Sequence, residues 1–205
     1  MLREGERVSD TQFDKVFPVW LRQLGERHWT SVAVALRAAR FLAEGTEPAR
    51  ILDLGAGTGK FCIVGALSTR AHFTGIERRR NLVDLARGLS RELKIERAKF
   101  LWADFLEANL DAYTGAYLFN PFEENIDPSA RIDDKVPCGP EQHSRYIAAT
   151  QAWLEKTPPG FRLAVYYGFG GRLPASFAPQ EFEAETTELR NLKLFVKQSP
   201  EFSAV

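Results

Sequence analysis

A glycine-rich stretch from Ile51 to Lys60 has the residue types and spacing best suited to ligand binding in this sequence. It reads ILDLGAGTGK, an apolar run with one carboxylate followed by alternating glycines, and the next residues, FCIVGAL, are typical of a buried helix. The pattern predicts a strand, a tight loop and a helix start. Glycines can turn at positive φ and place no Cβ between backbone and ligand, and a helix amino end has unpaired N–H groups. We therefore expect a flat, polar ligand at this loop.

Spacing separates three kinds of nucleotide site that use such loops. A phosphate-binding loop ending at Gly59-Lys60 would need glycine in place of Leu54 and Ser or Thr in place of Phe61. A dinucleotide fingerprint starting at Gly55 would need glycine in place of Lys60, because helix and strand pack closely there. The third pattern, Asp-x-Gly-x-Gly-x-Gly, is the one that fits.

Four polar residues stand at or just after the ends of predicted strands: Asp53, Glu77, Asp104 and Asn120. Helical segments separate these strands, and that alternation builds a parallel sheet. Ligands of open α/β sheets bind outside the carboxyl ends of the strands, so the four side chains would converge on one crevice. Glu77 follows Asp53 by about 24 residues, near the offset expected for an acid that binds ribose hydroxyls. Taken singly, each could instead be an ordinary loop-starting or helix-capping residue.

The remaining elements complete a sheet. Thr30 and Ser31 can cap a helix over 32–43, which Gly45 can end. After the fourth strand we predict a helix at 141–156, a fifth strand at 161–167, and an antiparallel pair formed by strands at 182–188 and 192–197.

The glycine loop, Glu77 and the terminal strand pair resemble the class I S-adenosylmethionine-dependent methyltransferases. The resemblance implies an α/β fold: a single Rossmann-like domain with a seven-stranded, mostly parallel sheet, a C-terminal antiparallel hairpin and helices on both faces. It assigns this domain to residues 46–205 and makes residues 1–45 a helical extension that closes over the cofactor. The lid candidates are Phe17, Trp20, Trp29 and Thr30, although ordinary packing would also account for the aromatics.

The same resemblance implies S-adenosylmethionine as the cofactor and no metal. The carboxylate of Asp53 and the backbone of the glycine loop would hold the methionine end. Glu77 would accept hydrogen bonds from both ribose hydroxyls, and Asp104 one from the adenine amino group. The cofactor-binding set is then Thr30, Asp53, Gly55, Ala56, Gly57, Glu77, Arg78, Ala103, Asp104, Phe105 and Asn120.

The reacting site implied by the resemblance is Asn120, Pro121, Phe122 and Glu123. In methyltransferases that act on amino groups, a related Asp/Asn-Pro-Pro-aromatic motif holds the target NH₂ through two acceptors, and its aromatic residue stacks on a planar target. Here the motif is one proline shorter. Glu123, Glu124 or His143 could serve as a base, or the acidic pair could attract a lysine; a solvated loop is the alternative for the glutamates.

Two segments near the site have open interpretations. The stretch 125–139 has no periodicity and is long for a connection within a domain, so it is a candidate substrate loop or simply a mobile one. The basic run from Arg78 to Arg80 is expected to be a solvated helix start, and contact with an anionic substrate is the alternative.

Methyl transfer to an amino nitrogen of a protein side chain, a nucleic acid base or a small molecule is the first functional hypothesis. A narrower likeness to DOT1-type lysine methyltransferases and their bacterial relatives rests on the glycine loop, the Gly75-Ile76-Glu77 segment and an Asn-containing aromatic turn. A noncatalytic cofactor-binding scaffold or regulator of the same fold is the alternative. A nicotinamide oxidoreductase is disfavoured by Lys60 and the terminal hairpin.

The composition of the chain limits the classes of molecule that it is expected to bind. The 205-residue chain suits one domain, and its 27 basic and 27 acidic residues create no overall positive field for nucleic acid. We find no apolar run long enough to cross a membrane. Cys62 and Cys138 fit no metal-ligand spacing and are expected to be reduced. We therefore expect a cytoplasmic enzyme with no membrane partner, whose methyl acceptor the sequence does not identify.

Overall fold

The computed structural model describes residues 8–22 and 28–199, and its centre is a seven-stranded sheet in the order β3-β2-β1-β4-β5-β7-β6. The first five strands run parallel, whereas β7 is antiparallel to β5 and to β6. This confirms the predicted mostly parallel sheet with an antiparallel pair at its C-terminal edge. The strands are β1 Arg50–Leu54, β2 His72–Glu77, β3 Ala98–Trp102, β4 Gly115–Phe119, β5 Arg162–Tyr166, β6 Phe177–Gln180 and β7 Leu192–Lys197.

Within residues 8–22 and 28–199, four helices longer than two turns pack around the sheet: α1 Val32–Ala43, α2 Lys60–Ser68, α3 Arg80–Glu92 and α4 Pro140–Lys156. Ser31 caps α1 as expected, because its side chain accepts a hydrogen bond from Val34 N. Single helical turns supply the connections near the sheet's carboxyl edge and the N-terminal segment. They are Asp10–Phe13, Asp14–Val16, Val19–Arg22, Phe105–Glu107, Glu123–Asn125, Pro128–Ala130 and Glu188–Asn191.

Alternation along the strands divides the core into two clusters, one on each face of the sheet. Ile51 and Tyr117 belong to the cluster that contains the buried residues of α1, α2 and α3. Leu52 and Leu118 belong to the other cluster, where α4 and the loops after β3 and β4 pack. Helices on both faces are thus confirmed.

The N-terminal segment is built into the first of these clusters. Phe13, Phe17 and Leu21 are buried together with residues of α1. The most deeply buried residues of α1 belong to the same core cluster as this segment. They include Val34, Ala35, Ala38, Ala39 and Leu42.

The predicted strand at 182–188 is wrong. The strand that pairs with β7 lies earlier, at Phe177–Gln180, with Gln180 opposite Leu194. Phe177 is buried and packs edge-to-face on Phe161, so burial selects this segment over a later one rich in exposed glutamates. Pro179 is tolerated because β6 lies at the edge of the sheet.

Candidate functional site

A crevice of about 1040 Å³, its open mouth included, lies at the carboxyl ends of β1, β2, β3 and β4. All four residues predicted to react and most of those predicted to bind a cofactor line it. They are Gly55, Gly57, Glu77, Arg78, Ala103, Asp104, Phe105, Asn120, Pro121, Phe122 and Glu123.

Backbone geometry forms the floor of this crevice. The N–H groups of Gly55 and Ala56 both donate to Ile76 O, at 3.0 and 2.9 Å, which ties the glycine loop to β2. Gly57 has φ +53°, and a Cβ there would meet no atom within 4 Å, because the position faces open space. Gly59 has φ +79°, and a Cβ there would lie 2.5 Å from the Phe100 ring. The loop therefore needs glycine for its turn at one position and for close packing at the other.

Glu77 lies beside this loop with only 8% of its surface exposed. One carboxylate oxygen accepts from Gly57 N at 3.1 Å, and the other accepts from Arg79 N at 2.8 Å. Burial raises the pKa of Glu77, and these two hydrogen bonds and the Arg79 charge oppose that rise. A carboxylate has about four acceptor positions, so Glu77 can still accept hydrogen bonds from a ligand.

Arg79 is a buried cation at the centre of an ion-pair network. It donates to Asp133 Oδ1 at 2.8 Å and to both carboxylate oxygens of Glu124, one of them at 3.2 Å, and it lies 4.0 Å from Glu77. The prediction that this basic run is solvated is therefore wrong for Arg79, which is only 5% exposed. Its partners lie 45 and 54 residues away in sequence, where no local pattern reveals them. The network joins Glu77 to the loop between β4 and α4.

An aromatic wall lines another side of the crevice. Tyr146 stacks on Phe122 with ring centroids 5.0 Å apart, and both rings contact Phe105. The Tyr146 hydroxyl donates to Asp104, while Arg78 donates to that hydroxyl at 3.0 Å. Burial and the bond to Asp104 raise the pKa of Tyr146 to about 12. Phe122, predicted to stack on a planar target, thus stacks on a side chain of this protein.

Asn120 lies where the crevice meets a second hollow. Its backbone is left-handed, with φ +38°, and its N–H donates to Tyr166 O and Gly168 O at 3.2 and 3.1 Å. Within the described residues its carboxamide forms no hydrogen bond. A non-glycine residue held in this conformation is often part of a functional site. The adjacent Pro121 touches the glycine loop, since a Cβ on Gly55 would lie 3.4 Å from Pro121 Cβ.

Some predicted site residues lie outside the crevice lining. Asp53 points to the opposite face of β1 from Leu54, where Cys62 Sγ donates to it at 3.4 Å, and burial raises its pKa to about 7. Thr30 is buried against Tyr117, with their hydroxyls 2.8 Å apart. Ala56 packs beneath the loop, where a Cβ on Gly75 would meet it at 2.5 Å. The expected convergence of four strand-end polar residues thus holds for three of them.

Some of the predicted lid and base residues line the crevice, and others do not. Trp29 lines the crevice. Phe17 is buried and packs against the Trp29 ring, with ring centroids 4.5 Å apart. Trp20 is 65% exposed and lines neither hollow. His143 lies next to the position of Gly170 rather than in the crevice.

Two polar atoms in the crevice were not anticipated. Thr58 Oγ1 and Asn125 Oδ1 are buried and have no hydrogen-bond partner among the described residues. Such atoms are uncommon in folded proteins and call for a ligand or water. Thr58 lies within the glycine motif and could have been included, whereas Asn125 lies in a segment with no periodic signal. Tyr146 could also have been found, because Tyr146, Thr150 and Leu154 recur at helical spacing and are all buried.

The second hollow adjoins the crevice on the side of the N-terminal segment. The two share Trp29, Phe119, Asn120 and Glu123. Lys60 is buried below it and forms ion pairs of 2.6 Å with both Asp10 and Asp14, so the glycine-loop helix and the N-terminal segment are joined there. The other residues that line this second hollow are Arg22, Ser31, Tyr166, Tyr167 and Glu188.

Within the described ranges, no group of three or more His, Cys, Asp or Glu side chains is placed to hold a metal ion. Nor does the described part of the chain contain a helix long and apolar enough to span a membrane.

Residues 46–124 match a family model described as a methyltransferase domain. No curated protein matches the sequence. An RNA methyltransferase from Salinibacter ruber, solved with S-adenosyl-L-homocysteine, is similar to this chain with a TM-score of 0.54 and 20% identity, over 82% of this chain and 90% of that one. The putative methyltransferase yhhF from Escherichia coli is similar with a TM-score of 0.55 and 16% identity, over 82% and 87% of the two chains.

TrmN from Thermus thermophilus is similar with a TM-score of 0.58 and 16% identity, over 87% of this chain and 52% of that one. At these identities the solved structures establish a shared fold. The DOT1-type likeness stays a prediction. The match of residues 46–124 to a methyltransferase-domain model, together with the shared fold, bears out the resemblance to class I S-adenosylmethionine-dependent methyltransferases.

Proposed function

We propose that the protein transfers a methyl group from S-adenosylmethionine to an amino nitrogen. The observation that carries this proposal is the position of Asn120. Its carboxamide lies at the junction of the crevice and the second hollow, with no hydrogen bond to the described residues. A carboxamide oxygen there can accept a hydrogen bond from an amine and direct the nitrogen lone pair toward the crevice.

The residues of the crevice fit the proposed cofactor. Glu77 has acceptor positions left for two ribose hydroxyls, and the open space over Gly57 admits a ligand against the loop backbone. The unpartnered Thr58 Oγ1 and Asn125 Oδ1 offer further polar contacts. Asp104 already accepts from Tyr146 and Leu106 N, so a contact with an adenine amino group would use its remaining acceptor capacity.

S-adenosylmethionine, when bound, supplies an activated methyl: the amine nitrogen forms the new N–C bond, the S–C bond breaks, and its electron pair stays on sulfur. The protein's task is then mostly positioning. An alkylammonium must also lose a proton before attack. Glu123 lines both hollows and is the carboxylate we assign to accept it.

Glu124, the other predicted candidate, is engaged by Arg79. We assign it to holding the 123–135 loop.

In this proposal the N-terminal residues 1–45, of which 1–7 and 23–27 lie outside the described residues, serve as a lid on the methyltransferase domain of residues 46–205. The ion pairs from Lys60 to Asp10 and Asp14 support a closed position of the segment. The two free thiols, Cys62 and Cys138, support a cytoplasmic location.

Calorimetry with S-adenosylmethionine and S-adenosylhomocysteine tests the donor half of this proposal. Wild type is expected to bind both. Glu77→Gln, which keeps the shape but removes a charged acceptor, should weaken binding by about tenfold, because a hydrogen bond to a charged group contributes about 1.5 kcal/mol or more. Glu92→Gln, an exposed position at the end of α3, is the matched control and should bind like wild type. Absence of binding in wild type, or full affinity in Glu77→Gln, would overturn the assignment.

A further inference from the structure

The second hollow combines carboxylates with aromatic rings at the edge of the proposed donor site. We propose that it binds the methyl acceptor as a cationic aliphatic amine, such as a lysine side chain or a small diamine. This inference rests on the proposed function, and it names the substrate class that the same site would accept.

Charge is the first argument. Among the residues that the structure describes, Asp10, Asp14, Glu123 and Glu188 line the hollow together with two cations, Lys60 and Arg22. Lys60 is consumed by its two aspartate partners, and the Arg22 guanidinium donates to Phe17 O and Lys15 O at 2.9 and 3.0 Å. Carboxylates thus outnumber cations by four to two among the described lining residues. A cation would be attracted there, and a polyanion such as RNA would be repelled.

Aromatic rings supply the second argument. Phe119, Tyr166 and Tyr167 form a cluster with ring centroids 4.5 to 6.1 Å apart. Tyr167 is 57% exposed, and Tyr166 is buried behind it. Ring faces attract alkylammonium groups, and this cluster stands at the end of β4 and β5, next to Asn120. Burial raises the pKa of the Tyr166 hydroxyl, and Tyr167, Glu188 and Asp10 raise it further, in keeping with a negative field.

Connection to the donor crevice is the third argument. An ammonium group held between the aromatic cluster and Glu188 lies in the same hollow as Asn120 and Glu123, which also line the crevice. The alkylammonium would give its proton to Glu123, and the neutral nitrogen would then form the bond to the methyl carbon. The product is an N-methylamine, which takes up a proton again in water, together with S-adenosylhomocysteine.

The test uses the full chain with isotope-labelled S-adenosylmethionine and three acceptors: a lysine-rich peptide, 1,5-diaminopentane and total RNA. Label is expected on an amine nitrogen of the peptide or the diamine, and the arm that is methylated identifies the source of the amine. The KM for that amine should rise with NaCl, because salt screens exposed charges. Methylation of RNA with both amines inert would overturn the inference.

Two substitutions separate substrate recognition from a general loss of structure. Glu188→Gln and Tyr167→Leu should each raise the KM for the amine by about two- to fivefold, the range typical of exposed ion-pair and cation–π contacts. Their kcat and their affinity for S-adenosylmethionine should stay at the wild-type values. Glu183→Gln is the control, since this exposed glutamate lies in the same connection but lines neither hollow.

The outcomes distinguish the two proposals. A protein that neither binds S-adenosylmethionine nor methylates any acceptor contradicts the proposed function. Cofactor binding and RNA methylation, or an amine KM that neither variant nor salt changes, contradict the cationic acceptor alone.

Discussion

The donor crevice and the second hollow meet at Asn120 but are built in different ways. The floor of the crevice is formed by backbone at consecutive positions, where Gly55 N and Ala56 N are fixed by β2 and Gly57 N by Glu77. The hollow is formed by side chains from the N-terminal segment, β4, β5 and the turn before β7. A loop set by backbone can be shared among many proteins, whereas a surface set by dispersed side chains can differ in each of them. This difference explains why the methyl donor can be recognised from the sequence, whereas the class of methyl acceptor is argued from the charge of the hollow.

Arg79→Met should have the largest effect, because Arg79 holds the crevice and its covering loop together. Removing the cation leaves Glu124, Asp133 and Glu77 close together without their shared partner. We expect a loss of about 3–5 kcal/mol in the free energy of unfolding, as for other buried ion pairs that lose one member. Urea denaturation measures it. Arg80→Met, at the exposed neighbour that pairs only with Asp84 at 3.6 Å, is the control, and an equally small loss in both variants would contradict this role.

Asn120→Gly should separate cofactor binding in the crevice from methyl transfer to an acceptor in the second hollow. Glycine keeps the left-handed backbone but removes the carboxamide, so S-adenosylmethionine should bind as in wild type. Methyl transfer should fall by about 100-fold, the scale found when one positioned hydrogen-bonding group is removed from an active site. Asn120→Asp retains an acceptor oxygen and should keep part of the activity. Single-turnover rates and calorimetry give the two readouts, and wild-type transfer by Asn120→Gly would remove Asn120 from the reacting site.

Asp53→Asn should have the smallest effect and should act on stability only. Burial raises the pKa of Asp53 to about 7, with Glu77 adding to the rise and the Cys62 hydrogen bond opposing it. The folded state therefore binds a proton that the unfolded state has lost, so stability decreases as pH rises from about 4 to about 7. Compared with wild type, Asp53→Asn should gain about 2 kcal/mol between pH 5 and pH 8. Urea unfolding at both pH values measures this gain, and a difference that does not change with pH would contradict it.

The sequence predicted the parts of the molecule that local rules control. The mostly parallel sheet follows from alternating strands and helices, and the glycine loop was found because its turn demands glycine at fixed spacing. Asp53 lies outside the crevice lining because strand alternation places its side chain on the face opposite Leu54, and its role toward the cofactor stays a prediction. The strand before β7 was misplaced because burial of Phe177, a tertiary effect, outweighs the apparent pattern of 182–188.

In the candidate site, too, the sequence predicted what local patterns determine and missed what tertiary contacts determine. Glu77, Asp104 and Asn120 could be placed because each ends a parallel strand. The partners of Arg79 and the lining of the second hollow come from segments up to about 180 residues apart, and only the folded chain brings them together. Charge in that hollow therefore could not be inferred from the neutral overall composition.

The central claim is that this chain methylates an amine. Incubation of a cell extract with the protein and isotope-labelled S-adenosylmethionine, followed by mass spectrometry, tests it most directly. We predict label on amine nitrogens with wild type and about 100-fold less with Asn120→Gly. Intact binding of S-adenosylmethionine without label on any acceptor would contradict the claim and favour a cofactor-binding scaffold.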